Sequence, residues 1–278
     1  MEANGFSRQF VYKKEQSEQN KQCVEEEIVS KVLKAREKHR TMGARVLYHY
    51  LNIRSIGINK FEQIVSRNGL SVVIKKKRIV TTNGLYEEWD KNLINGLVLD
   101  DINQVIAGDI TYFILKEKTY YIFTLKDMFS KRIVGLYGSD TMLSLNAIKT
   151  LEQVIKLRGS NINKCIHHSD AGSQYKSNAY KKKLKKHHLV MSIAENCLQN
   201  GMAEQLNGVL KNDYITRDIK NLKGLNKQLK EIMYLINEER PVKELGYKTP
   251  VEFEKWVLDK NPKPTFKLYD FTKKNKEN

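Results

Sequence analysis

Cysteine chemistry is nearly absent from this chain. Its three cysteines, Cys23, Cys165 and Cys197, stand far apart. An odd, scattered set gives no disulfide framework and points to a reducing compartment. No Cys-x-x-Cys pair exists, which argues against a zinc finger. Long apolar runs are missing too. Nothing approaches the ~20 uninterrupted apolar residues of a membrane span. The N-terminus has no signal-peptide apolar stretch, so a cytoplasmic protein without membrane contact is expected. Acids are scarce relative to bases. Lys and Arg number 49 against 32 Asp and Glu, a formal net charge of +17. The excess is spread along the whole chain, as suits a polyanion such as DNA or RNA.

What remains is ample for folding. The 278 residues, 40% of them hydrophobic, suffice for one large domain and a smaller one, and exclude wholesale disorder. Of the six histidines, four form the pairs His167–His168 and His187–His188. Adjacent side chains do not converge easily on one metal, so these read as structural or DNA-facing.

Residues 1–80 read as a helical DNA-binding module. Val24, Ile28, Val29, Val32 and Leu33 recur at helical spacing. Ala44–Asn52 predicts a short helix, a turn follows around Gly57, and Asn59 is placed to cap a second helix ending near Gly69. Two short helices joined by such a turn resemble a helix-turn-helix. Arg45 on the first helix and Lys60 on the second are candidate DNA contacts, as is the run Lys75, Lys76, Lys77 and Arg78. Residues 81–102 read as a linker, 103–255 as a catalytic core and 256–278 as a basic tail. In the core, Gln104–Leu115, Thr119–Lys126 and Arg132–Gly138 predict an antiparallel meander of three strands. Thr141–Arg158 predicts a helix burying Leu145, Ile148, Leu151 and Ile155. A strand (Cys165–Ser169), a basic helix, a strand (Leu189–Ile193) and further helices follow. This element order resembles a ribonuclease-H-like α/β fold, a mixed sheet flanked by helices.

Three acids stand in distinctive contexts: Asp109 in QVIAGDITY, Asp170 in HHSDAGSQY and Glu204 in NGMAEQLNGVLK. Asp109 interrupts an apolar strand, where an ionised carboxylate is costly unless paired or metal-bound. Asp170 follows a strand end, where ligands gather in open α/β sheets. At 100° per residue, Glu204 and Lys211 fall opposite the stripe of Met202, Leu206, Val209 and Leu210. Clustered carboxylates in a basic chain suit Mg²⁺ or Mn²⁺, and two such ions suit phosphodiester chemistry.

These contexts resemble the transposases of bacterial insertion sequences with a retroviral-integrase-like DDE core. GFSRQFVYKK is similar to the start of that family's second reading frame. MGARVLYHYL and INKFEQIVSRNGL resemble its helix-turn-helix segment, and GDITY, HHSDAGSQY, NGMAEQLNGVLK and RPVKELGYKTPVEF resemble its core. The resemblance implies Asp109, Asp170 and Glu204 as catalytic metal ligands and Lys211 as a DNA contact. It implies 3′-end cleavage and strand transfer on element ends and target DNA, a homo-oligomer on DNA, and a location at the bacterial nucleoid. It also implies a first-frame partner with a helix-turn-helix and a coiled coil. Ile106 stands where the family often has Trp, and Ala171 where Arg is usual. The Asp170–Glu204 interval is two residues shorter than usual, the shortening falling around 195–199. A regulatory or decayed DNA-binding protein and a ribonuclease-H-fold nuclease are the alternatives.

Overall fold

The computed structural model describes residues 8–72, 91–194, 201–216 and 218–270, except the side chains of residues 201–204. The chain divides into two compact units, Met1–Lys76 and Lys77–Asn278.

The first unit holds three helices: α1 (Arg8–Lys38), α2 (Ala44–Tyr50) and α3 (Ile58–Arg67). Only the second half of α1 is packed. Its Ile28, Val32 and Ala35 recur at helical spacing and meet Leu47, Phe61, Ile64 and Val65 in one core. Leu33, read with this stripe, is turned outward. Glu25 ties α1 to the end of α3, accepting from Arg67 Nε at 2.7 Å and Asn68 Nδ2 at 2.8 Å. The expected cap at Asn59 is not formed. Gly57 is the N-cap of α3, without a side-chain hydrogen bond, and Asn59 lies within the first turn.

The second unit is built on strands β1 (Val98–Leu99), β2 (Val105–Leu115), β3 (Lys118–Asp127) and β4 (Ile133–Ser139). Helix α4 (Ser144–Arg158), strand β5 (Ile166–Ser169), helices α5 (Ser173–Lys176) and α6 (Asn178–Lys186), and strand β6 (Val190–Ile193) follow. Next come α7 (Gly201–Val209), which continues as a π-helical turn over Leu210–Tyr214, and α8 (Leu222–Tyr234), which does the same over Leu235–Glu239. The last elements are α9 (Pro250–Leu258) and β7 (Phe266–Lys267).

The main sheet has the order β4-β3-β2-β5-β6. β2, β3 and β4 form the expected antiparallel meander. β5 and β6 join parallel to β2, through crossovers that carry α4 and α6. Parallel neighbours need such crossovers, because a tight turn can only reverse the chain. Alternation along the strands feeds two cores. Ile106, Phe123, Leu125 and Val134 pack with Ala147, Leu151 and Val154 of α4 and Tyr180 and Leu184 of α6. Leu115, Tyr120 and Ile122 pack on the opposite face with Leu206, Leu210, Leu225 and Leu229.

Three of the four residues expected on the buried side of α4 lie there: Leu151 is buried and Ile148 and Ile155 are packed against the same core, so only Leu145 departs. Ala147, Thr150, Leu151 and Val154 are buried, while Leu145 is exposed. A Cβ on Gly135 would stand 2.7 Å from the carbonyl oxygen of Thr150. The helix sits so close to the strand there that a side chain at 135 would meet the Thr150 backbone.

The domain ends also differ from the reading. Residues 81–90 lie outside the described residues, but 91–102 are packed rather than linking. Ile193 N donates to Lys91 O, Leu93 N donates to Ser192 Oγ, and Ile94 and Leu99 are buried. Nor is 256–278 simply a tail. Val257 and Leu268 are buried in the same core, and β7 pairs antiparallel with β1. Each segment is too polar to show strand periodicity alone. Together they satisfy one another's backbone groups.

A buried ion cluster fixes α9. Glu254 accepts from Ser130 Oγ at 2.8 Å, from Arg132 Nη1 at 2.5 Å and from both terminal nitrogens of Arg158. Burial alone would raise the Glu254 carboxyl; the Arg158 and Arg132 guanidiniums and the Ser130 hydroxyl outweigh it and hold the group below the ordinary glutamate value. The helix start is set independently by a capping box between Thr249 and Glu252.

Glu254→Gln leaves Arg158 buried without its counter-charge and is expected to cost about 3–5 kcal/mol in chemical denaturation. Because the folded value of Glu254 is depressed, its contribution is complete above the ordinary glutamate pKa and disappears as pH falls through the lower folded value. The variant should therefore show a flatter loss of stability in acid. A cost below about 1 kcal/mol would mean that the cluster is no stronger than a surface pair.

Candidate active site

Asp109 is the fifth residue of β2. β5 pairs with β2 only through Val105↔Ile166, Ile106↔His167 and Ala107↔His168. β5 then ends at Ser169. Continuing the register by two residues sets Asp170 level with Asp109, one strand spacing of about 4.8 Å away in backbone. A four-residue strand beside an eleven-residue one leaves Asp109 at an open edge. The two acids thus stand at the carboxyl end of this parallel pair.

Each carboxylate is held locally. Asp109 Oδ1 accepts from Ile110 N at 2.9 Å, and its Oδ2 accepts from Asn207 Nδ2 of α7. Asp170 Oδ1 accepts from Gly172 N at 3.2 Å. Burial raises the Asp170 carboxyl above the ordinary aspartate value, and the Gly172 N–H opposes this. Such a group is stabilised in its charged form by a cation.

An aromatic cluster lies under the pair. Tyr180 Oη is 2.8 Å from His167 Nε2, and the rings of His167, Tyr175 and Tyr180 stack edge-on or tilted at 5.3–5.4 Å. Burial, reinforced by His168, lowers His167 to about 3, so this imidazole is neutral. Burial raises the Tyr175 phenol well above its ordinary value, and Tyr180 and the charges of Asp109 and Asp170 add to that. Both acids therefore lie within the electrostatic reach of one hydroxyl. The cluster touches Gly108. A Cβ there would be 3.0 Å from Leu125 Cδ2, 3.1 Å from His167 Nε2 and 3.3 Å from Tyr175 Oη.

Helix α7 crosses the same region. Asn207 is buried and faces Asp109. Position 204 lies one turn earlier on the same helical face, and Lys211 lies four residues later. The Glu204 side chain is outside the described residues. Lys211 Nζ stands 5.2 Å from the centroid of the Tyr112 ring. Burial lowers its ammonium, and the charge of Asp109 works in the opposite sense. Lys211 thus lies within the electrostatic reach of Asp109, and Asp109 and Asp170 within that of Tyr175. Among the described residues no group of three or more His, Cys, Asp or Glu converges on a metal position.

Of the other candidates, Arg45 and Lys60 lie in the first unit. Arg45 forms a fork with Glu62, Nε to Oε1 at 2.9 Å and Nη2 to Oε2 at 3.1 Å. Lys60 is exposed on α3. Lys75, Lys76, Lys77 and Arg78 lie outside the described residues, as does the shortened 195–199 segment. The histidine pairs separate in role. His167 and His168 are buried, the latter with Nδ1 2.9 Å from Ser192 Oγ, whereas His188 is exposed. Sequence reading passed over Asn207 and Tyr175. The helical geometry that links Glu204 to Lys211 also selects Asn207. Tyr175 closes the HHSDAGSQY context, but its part under the strand comes from packing, its hydroxyl lying against Gly108.

Gly108→Ala is expected to force Leu125, His167 or Tyr175 to move and to cost about 1–3 kcal/mol. The measurement is the shift in denaturation midpoint. An unshifted midpoint would show that the cluster yields freely and does not brace the strand under Asp109.

Two models, both of the integrase core domain, match residues 101–196 and 186–250. A curated relative, the transposase for insertion sequence element IS629 of Shigella sonnei, is 28% identical over 225 residues, covering 79% of this chain and 75% of its own. Solved structures with similar folds include the HTLV-2 integrase catalytic core domain in complex with magnesium, in its dimeric form. It shows 22% identity over 55% of this chain and 97% of that one, with a TM-score of 0.45. The simian T-cell lymphotropic virus intasome, in complex with a PP2A regulatory subunit, gives 17% identity over 77% and 70%, with a TM-score of 0.47. The two integrase-core matches span the whole meander, both crossovers and α7 to α8, and with the transposase relative they assign this chain to the insertion-sequence transposases with an integrase core, enzymes of the polynucleotidyl-transferase type.

Proposed function

We propose that the enzyme cleaves the 3′ ends of its own insertion sequence and joins them to target DNA, with Asp109, Asp170 and Glu204 as its catalytic carboxylates. What supports this reading is that the β2–β5 register, continued two residues past Ala107↔His168, runs to Asp109 and Asp170, and that Asn207, three residues after position 204 on α7, donates to Asp109. Hydrolysis would free a 3′ hydroxyl at the element end. That hydroxyl would then attack a target phosphorus, forming a new P–O bond and releasing the target strand's 3′ oxygen as a hydroxyl.

The residues fit a divalent cation. Their donors are hard carboxylate oxygens. Asp170 is desolvated and has no cationic partner among the described residues. Asn207 Oδ1, beside Asp109, is buried without a hydrogen-bond partner. Bound Mg²⁺ or Mn²⁺, as two ions, would activate the attacking oxygen and stabilise the leaving one. Asp109, Asp170 and Glu204 would hold them. The chain's own contribution is orientation. The Ile110 N–H and the Asn207 amide fix the rotamer of Asp109, and the Gly172 N–H fixes Asp170. His167, neutral and shared with Tyr180, supplies no competing charge under the site. Lys211, free to leave the Tyr112 ring, would meet a phosphate beside the scissile bond.

The module of α2 and α3 would bind the element ends, with Arg45, Lys60 and the Lys75–Arg78 run as phosphate contacts. Arg45 would do so while bound to Glu62. In this reading the enzyme acts as a homo-oligomer on DNA at the bacterial nucleoid, with a first-frame helix-turn-helix and coiled-coil protein as its partner.

Asp109→Asn, Asp170→Asn and Glu204→Gln should each abolish cleavage and joining while DNA binding persists. Metal stabilisation of the reacting oxygens is worth several kcal/mol, so a loss of about a thousandfold or more is expected. Joining by any of the three at near-wild-type rate in Mg²⁺ removes that residue from the site. Cleavage without joining by the unaltered protein would favour a nuclease.

Lys211→Ala should lower strand joining by about ten- to a hundredfold, the value of one hydrogen bond to a charged group. Overall DNA affinity should fall less, and Lys211→Arg should recover part of the rate. Crosslinks from position 211 should concentrate on the terminal nucleotides. Crosslinks spread evenly over unrelated DNA would reduce Lys211 to an ordinary surface charge.

A further inference from the structure

The most one-sided surface of the second unit lies away from the acids. α6 carries Lys181, Lys182, Lys183, Lys185 and Lys186 within nine residues. No Asp or Glu occurs between Ala171 and Ala194. Among the described residues, an acid reaches only one of these five lysines, Lys183, whose Nζ is 2.7 Å from Glu152. Like charges at i and i+4, as in Lys181–Lys185 and Lys182–Lys186, destabilise a helix. The helix is retained because Tyr180 and Leu184 bury its other face.

The lysines are not a smooth stripe. Lys164, Lys181, Lys185 and His188 rim an open groove of about 490 Å³, whose floor is Leu184, Leu189 and Met191. Its wall is a pair of left-handed residues, Lys164 (φ 64°) and His188 (φ 57°), joined by Lys164 N donating to His188 O at 2.9 Å. The groove is therefore a built concavity with three lysines and no acid. It lies beside the start of β5, whereas Asp170 follows its end. Four residues of strand separate the two by roughly 13–15 Å. At 3.4 Å per step along a DNA strand, this is about four base steps.

We propose that this groove and the outer face of α6 bind the phosphate backbone of duplex DNA at a distance from the reacting bond. The surface is a second, sequence-independent contact that holds one DNA arm while the acids work on its end. The apolar floor suits the lysine stems, which lie along it while the ammonium groups reach outward. The inference rests on the reading of the enzyme as a DNA transposase, and adds where DNA leaves the site.

The test uses the full chain. Lys164→Gln, Lys181→Gln and Lys185→Gln are combined in one variant. A control combines Lys223→Gln, Lys227→Gln and Lys230→Gln, three exposed lysines of α8. Binding to duplex DNA without element ends is titrated against salt. Each phosphate contact contributes about 0.9 to the slope of log K against log salt, so the groove variant should lose about two to three from it. The control should keep its slope. A variant with Arg at the three groove positions should recover most of it, which separates charge from misfolding. An unchanged slope in the groove variant, an equal loss in the control, or no recovery with Arg overturns the proposal. If the unaltered protein joins DNA in these conditions while the slope stays constant, only the groove fails. If it neither binds nor joins DNA, the transposase reading fails with it.

Discussion

The parallel pairing of β2 with β5 over three residues is the constraint on which the rest of the second unit depends. Its register, continued by two residues, runs to two acids that have sixty residues between them in sequence. It also ends early enough to leave them uncovered. A longer β5 would pair beyond Ala107 and bring a strand alongside Asp109. A shorter one would not fix the register, and a one-residue slip would turn Asp170 to the other face. The meander on the far side of β2 is what makes so short a pairing sufficient. Ten register pairs with β3 hold β2 straight, so β5 needs only to add to a surface already formed.

The helices beside this edge are anchored by charge at points well away from it. Asp213 and Arg240 form a buried pair that joins the π-helical turn after α7 to the chain following α8, and Arg240 also donates to Tyr214 Oη at 3.1 Å. Glu254 does the same for α9, α4 and the β3–β4 turn. Buried pairs of this kind add little net stability over apolar packing, but they are costly to break. Their effect is therefore on geometry. Asp127, wholly buried at the end of β3, accepts from Asn103, Phe129 and Ser130 N–H groups. That fixes the turn from which Arg132 reaches Glu254. The π-helical turn containing Lys211 is one residue wider than an α-helical turn, a feature frequent at functional sites. It lets α7 present Asn207 to Asp109 while Leu210 and Tyr214 remain in the core.

Much of this was legible in the sequence because acids are conspicuous where they are expensive. Asp109 in an apolar strand and Asp170 after a strand end needed no packing information to be singled out. The strands of the meander were equally plain from their Val, Ile, Tyr and Phe content. Legibility failed where a contact lies between distant segments. Leu145 looked buried by helical period, yet it is exposed while Ile148, Leu151 and Ile155 of the same stripe pack on the sheet. Residues 91–102 looked like a linker because half of their partners are in 266–269. Asn59 looked like a cap because its side chain suits one, but the turn places Gly57 there. In each case local propensity pointed one way and tertiary packing decided otherwise.

The charge distribution of the molecule follows from an opposition at its centre. Carboxylates repel the phosphates on which the enzyme acts, so the acids cannot by themselves recruit DNA. A chain of +17 solves this with bases placed around rather than among them. Lys211 is close enough to feel Asp109 yet held over the Tyr112 ring. Had it paired fully with Asp109, the site would be neutralised and neither metal nor phosphate would be favoured. The ring gives the ammonium an alternative partner of modest strength, about 0.5–1 kcal/mol at an exposed site. A phosphate oxygen outcompetes that easily. The lysine is thus kept near Asp109 and over the Tyr112 ring, and under the proposed function the attraction of the strand falls to the cations farther out.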